Sequence, residues 1–187
     1  MALRANYVAL DSGIKHTIIT MKKNTVVSEL EHIRHSIAHL LAASVLELWP
    51  DTKHAIGPAI ADGFYFDFEF GNQLLESDLS RIEAKMRELL PTWEKFERVE
   101  MSVADAKECY KNNPYKRELI DEFAQKGEVI TFYKSGAYQD LCRGGHVEDI
   151  KDIAPEAFKL TRIAGAYRRA SEKHPMLTRI NGLALAD

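Results

Sequence analysis

Between Gly63 and Phe70 the chain alternates without a break, with Phe64, Phe66, Phe68 and Phe70 on one side of an extended backbone and Tyr65, Asp67 and Glu69 on the other. Such a segment is a half-buried strand, and its aromatic face must be covered. Upstream the period changes. Leu30, Ile33, Ile37, Leu40, Leu41, Val45 and Leu48 recur at helical intervals up to Pro50, and Ser28 with Glu31 has capping-box spacing, so a helix is predicted to begin at Ser28. A second amphipathic helix is predicted from Ser77 to Pro91, a shorter one from Ser102 to Asn112-Asn113-Pro114, and another over Arg117 to Ala124. Val129 to Tyr133 and Tyr138 to Cys142 read as a hairpin around Ser135-Gly136, and further strands are expected at Phe158 to Ile163 and Leu177 to Ile180. Short alternations at Tyr7–Leu10 and Thr17–Thr20 suggest one or two strands before the main domain. The expected fold class is α+β, a largely antiparallel sheet with packed helices; residues 1–28 form N-terminal strands or an extension and 29–187 the main domain.

Composition removes several classes. The chain of 187 residues is 45% hydrophobic and can bury one substantial core. Two cysteines, Cys109 and Cys142, make no disulfide framework, no secretory leader stands near Met1, and no apolar run reaches membrane-spanning length. A cytoplasmic protein with reduced thiols and no membrane contact is the expectation. Net charge is -3, yet from Phe158 to Asp187 six basic residues face two acidic ones, a local patch able to hold phosphates; a solvated face would look the same.

His35 and His39 lie one helical turn apart, about 40° around the axis, so both imidazoles can reach one ion or one water. His32 extends that face. Far along the chain, Asp140 and Cys142 share one side of a strand, two glycines follow, and His146 is returned toward the strand end. Three imidazoles and a thiol suit zinc by residue type. With Asp140, the same groups could instead position water around an ester carbonyl. Residue types leave both open.

At this point a resemblance becomes specific. The runs His35-Ser36-Ile37-Ala38-His39-Leu40-Leu41-Ala42, Ala55-Ile56-Gly57-Pro58, Asp62 to Asp67, Tyr115 to Ile120, Asp140-Leu141-Cys142-Arg143-Gly144, His146-Val147, Phe158-Lys159-Leu160 and Ala164 to Tyr167 closely resemble, in order, the editing domain of threonyl-tRNA synthetases. Alanyl-tRNA editing proteins share the His-x-x-x-His and Cys-x-x-x-His patterns more distantly. The resemblance implies the second additional domain fold of these synthetases and a deacylase that hydrolyses serine from threonine tRNA, a translation-fidelity activity attached to a ligase. By the same resemblance His35, His39, Cys142 and His146 line the catalytic pocket, Asp140 recognises the ammonium of the aminoacyl group, and Lys116 binds or orients the hydrolytic water. Tyr65, Phe66, Arg143, Gly144, Tyr167 and Arg168 are the implied substrate-binding residues. No cofactor is required; zinc on His35, His39, Cys142 and His146, as in the alanyl relatives, is the alternative. The implied partners are serine-mischarged threonine tRNA and the remaining domains of a synthetase, unless the chain acts on its own.

Several positions depart from the family pattern. Arg168 stands at a common Trp, Phe66 at a common Tyr, Gly145 at a Pro, Asn181 at a Tyr and Leu183 at a Thr, while Ala170-Ser171 replaces Gly-Asp. Arg stacks on bases and binds phosphate, so Arg168 need not harm tRNA contact; Phe66 removes a hydroxyl. Two competing readings follow: a zinc-dependent alanyl-type deacylase, and a catalytically silent tRNA-binding module.

Overall fold

The computed structural model describes residues 12–167 and 176–184, with residues 12–28 described as backbone. Helix α1 (Ser12–Leu48) is followed by the short strands β1 (Lys53–His54) and β2 (Ala59–Ile60), then by β3 (Gly63–Glu69) and α2 (Asp78–Leu89). Next come β4 (Glu97–Glu100), α3 (Val103–Cys109), α4 (Pro114–Gln125) and the hairpin β5 (Thr131–Ser135) with β6 (Tyr138–Leu141). Two long strands, β7 (Phe158–Tyr167) and β8 (Met176–Ala184), complete the described fold.

Among the described residues all the pairings are antiparallel. One sheet runs β1-β3-β8-β7, with β2 also on β3; the other runs β4-β5-β6. Period two in β3 does what the sequence demands, sending Phe64, Phe66 and Phe68 into the core at no more than 1% exposure. Against them lie Ile37, Leu40 and Leu41 of α1 and Ile82 and Met86 of α2. Burial of each such side chain contributes about 1.5–3 kcal/mol. A second core, of Ala106, Tyr110, Ile120, Phe132 and Leu141, joins α3 and α4 to the smaller sheet. The α+β class and the antiparallel sheets are as expected.

Strand pairing also explains a small residue. Gly182 sits opposite Phe64 in the β3–β8 register, and a Cβ there would lie 2.3 Å from the Phe64 ring, which is fully buried. Gly182→Ala is expected to destabilise the chain by about 1–3 kcal/mol through overpacking. Urea unfolding would show this as a lower midpoint at unchanged slope; an unchanged midpoint would mean the ring has room to move.

Some boundaries differ from the sequence expectation. Thr17–Thr20 is helical, because α1 begins at Ser12 and runs through Ser28. A four-residue alternation is too short to oppose a neighbouring helix that, once nucleated, propagates at low cost; Tyr7–Leu10 lies outside the described residues. Helix α4 starts earlier than predicted, at Pro114, since the Asn113 side chain accepts the backbone N–H groups of Tyr115 and Lys116. The strands β1, β2 and β4 were not anticipated; the first two span two residues each and have no period to read.

Candidate active site

The fold brings α1 against the end of β6. Cys142 follows β6, its N–H donating to the Thr131 carbonyl at 3.0 Å, and Gly144 and Gly145 then take φ of +100° and +87° to turn the chain back to His146. A Cβ at Gly144 would lie 2.5 Å from the Tyr133 hydroxyl. On the helix side Ser36 accepts the Val147 N–H at 3.1 Å and His35 Nδ1 donates to the Gly145 carbonyl at 3.1 Å, so two hydrogen bonds clasp the segments together.

That second bond fixes the proton positions. With its proton on Nδ1, neutral His35 turns the lone pair of Nε2 inward, where His39 Nε2–H donates to it at 3.2 Å. Cys142 Sγ lies 3.5 Å from both His35 Nε2 and His146 Nε2, and accepts the Gly144 N–H at 3.3 Å. His146 is stacked on Phe96 with ring centres 4.0 Å apart. His39 Nδ1 and His146 Nδ1 are buried without hydrogen-bond partners among the described residues.

Beneath this cluster is a buried charge pair. Asp140 is 1% exposed, and its Oδ1 accepts from Lys116 Nζ at 2.6 Å, Tyr110 Oη at 2.7 Å and His54 Nε2 at 3.2 Å. Its Oδ2 accepts from Tyr138 Oη at 3.1 Å and lies 3.8 Å from His39 Nδ1. His54, Tyr110 and Tyr138 were not foreseen. Tyr110 carries no sequence signal of its own, Tyr138 marks only the start of a strand, and His54 sits in a two-residue strand with no pattern around it.

Burial dominates the titration of the site. Desolvation lowers His35 and His54, lowers His39 strongly, and brings His146 to about 3, while it pushes the Cys142 thiol to about 11. Burial alone would raise Asp140 too, but the Lys116 ammonium and His54 hold its carboxyl well below the usual range. Near neutral pH the site is therefore three neutral imidazoles and a thiol above one ammonium–carboxylate pair. The linkage has a definite sign. His146 is held near 3 in the fold against 6.5 ordinarily, so protons bind the unfolded chain preferentially and stability is lost as pH falls from about 6.5 toward 3. Thermal melts are expected to hold between pH 8 and 7 and to drop below 6.5; a midpoint that rises on acidification through pH 6 contradicts this.

A cavity of about 1160 Å³ opens onto these groups. His35, His39, Lys116, Asp140 and Cys142 line it, as do Phe66, Arg143 and Gly144. His146 completes the cluster from beside His35, their rings stacked 4.5 Å apart. Two expected substrate-binding residues are placed elsewhere. Tyr65 points to the opposite face of β3 from Phe66, as period two requires, and packs under the Arg179 guanidinium at 3.7 Å. Tyr167 lies exposed at the end of β7, away from the cavity; Arg168 lies outside the described residues. The basic stretch is also partly spent on structure: Arg179 forks onto Asp67 at 2.7 and 2.8 Å, and Lys159 binds Glu83 at 2.9 Å.

The donor set fits a metal. The four donor atoms of His35, His39, Cys142 and His146 all lie within 4.8 Å of one another. Three of the six spacings, 3.2, 3.5 and 3.5 Å, are near the edges of a tetrahedron with zinc-like bonds of about 2.0–2.3 Å, while the group as a whole spreads to 4.8 Å.

Residues 130–181 match the family model described as the threonyl and alanyl tRNA synthetase second additional domain. Over 149 residues, 80% of this chain, it is 57% identical to the threonine–tRNA ligase of Borreliella burgdorferi strain ZS7, 54% to that of Borreliella afzelii and 50% to that of Borrelia turicatae. Residues 130–181 are thus similar to a synthetase second additional domain. These relatives are threonine–tRNA ligases, and the chain spans about a quarter of their length (25–26%). No helix among the described residues is long and apolar enough to cross a membrane.

Proposed function

We propose that this chain is an aminoacyl-tRNA deacylase that hydrolyses serine wrongly esterified to threonine tRNA, acting in the cytoplasm with the other domains of a threonine–tRNA ligase or in trans. The observation that carries this reading is the convergence of His35, His39 and Cys142, with His146 stacked beside His35, above the Lys116–Asp140 pair at one open cavity. At about 1160 Å³ that cavity is on the scale of an aminoacyl nucleoside rather than of serine alone.

A thiol held near 11 is a poor nucleophile at neutral pH, so water attacks the ester carbonyl. A neutral imidazole accepts the water proton, His35 at Nε2 once water displaces the His39 N–H bound there or His39 at its unpartnered Nδ1, and donors around the carbonyl, Lys116 among them, stabilise the charge that develops on its oxygen. Three donors saturate Asp140 Oδ1, leaving Oδ2 with acceptor capacity for the ammonium of the substrate. Selection of serine over threonine follows the double-sieve logic. One methyl group is worth only about 1–3 kcal/mol in a synthetic site, so a second site that excludes it removes the error.

The clustering of three imidazoles and a thiol within 4.8 Å supports a second reading, in which His35, His39, Cys142 and His146 would hold zinc. Held by all four, zinc would sit in a closed site; with one of the four standing off, the open position would supply a more acidic water. One experiment separates the readings: ester loss from seryl and threonyl forms of threonine tRNA, with and without chelator. Fast loss of serine, sparing of threonine and indifference to chelator are expected. A rate abolished by chelator and restored by zinc would establish the second reading, equal loss of both esters would defeat the sieve, and tRNA binding with no hydrolysis would mark a silent module.

A further inference from the structure

Helix α1 offers the cavity one more cation, which the chemistry above does not use. Arg34 is 8% exposed and lines the cavity, with Nε donating to the Ala184 carbonyl at 3.2 Å and Nη1 to the Ile60 carbonyl at 3.3 Å. The comparison with its neighbours is informative. Lys116 is neutralised by Asp140 at 2.6 Å, and Arg143 by Glu128 through bonds of 2.6 and 2.8 Å. Among the described residues no carboxylate lies within ion-pairing range of Arg34. Carbonyl oxygens satisfy two of its N–H groups but leave the full charge uncancelled, and a guanidinium taken out of water without a counter-ion is costly. Its planar fork has further donors, in the geometry that suits a phosphate.

Position indicates whose phosphate this is. Arg34 precedes His35 on the helix, about 100° around the axis from it, and its head group is held at the ends of β2 and β8 in the same cavity that the imidazoles line. If the ester carbonyl sits at the cluster, as the proposed function requires, the nucleoside extends from it along the cavity. The nearest anion on such a substrate is the phosphate on that nucleoside's 5′ oxygen. We infer that Arg34 is a phosphate-binding residue that engages this group and so aligns the ester with the imidazoles; the inference rests on the deacylase reading.

The test uses the 187-residue chain, its Arg34→Gln variant and three esters: seryl-tRNA, 3′-seryl-adenosine carrying a 5′-phosphate, and 3′-seryl-adenosine without it. Arg34→Gln is expected to lower kcat/KM on both phosphate-bearing esters by at least about tenfold more than on the phosphate-free one. Equal losses on all three esters would reduce Arg34 to a tie between α1 and the ends of β2 and β8, and the absence of loss on any of them would remove it from the site; either result overturns the inference. If the wild-type chain hydrolyses none of the three, the deacylase reading falls, and calorimetry decides the phosphate question by itself. Adenosine 5′-monophosphate should then bind more tightly than adenosine, a preference lost in Arg34→Gln; equal binding of the two by the wild type overturns it.

Discussion

Lys116→Ala is expected to cost this chain both stability and activity. Its ammonium and the Asp140 carboxylate are 2.6 Å apart with side chains 2% exposed, so removal strands a buried carboxylate among neutral donors. Breaking such a pair by deleting one partner costs about 3–5 kcal/mol, a large share of the stability of an ordinary domain. Urea unfolding should show the loss directly. A double change, Lys116→Met with Asp140→Asn, removes both charges and should recover part of the stability while leaving deacylation absent. Wild-type stability in Lys116→Ala would mean that water or another cation reaches Asp140.

His35→Ala should divide the two properties the other way. His35 is only half-buried, so its loss should move the unfolding midpoint little, yet it is the one imidazole in direct contact with His39, Cys142 and the Gly145 carbonyl. Loss of a proton acceptor in this position lowers a hydrolytic rate by about 10²–10⁴-fold. Single-turnover loss of serine from its tRNA ester measures it. Retention of more than about a tenth of the rate, in a chain that melts normally, would move the proton transfer to His39 or to the solvent.

How much of this was legible in the sequence follows from the length of each signal. The alternation from Phe64 to Phe70 and the helical spacing from Leu30 to Leu48 extend over several turns or pleats, and the structure keeps both. The pairing of His35 and His39 with Cys142 and His146 could be proposed because each pair is local, but nothing in either half states that α1 meets the end of β6. That meeting is made by Ser36 and Gly145, whose hydrogen bonds leave no mark in periodicity. The groups around Asp140 were hidden for a related reason. Tyr110 carries no signal of its own, Tyr138 marks only the start of a strand, His54 belongs to a two-residue strand, and the shared carboxylate appears only when four separate elements close around it. Tyr65 is a contrasting case, since its place in a substrate-like run suggested contact while its parity in β3 turns it to the opposite face from Phe66 and onto Arg179.

The most direct test of the central claim is a crystal structure of the chain with a seryl-adenosine analogue whose ester is replaced by a non-hydrolysable amide. The amide carbonyl is expected within hydrogen-bonding reach, directly or through one water, of His35 or His39, with the serine ammonium facing Asp140 Oδ2. An analogue bound elsewhere on the surface, or lodged in the cavity with its seryl group pointing away from the imidazoles, would contradict it.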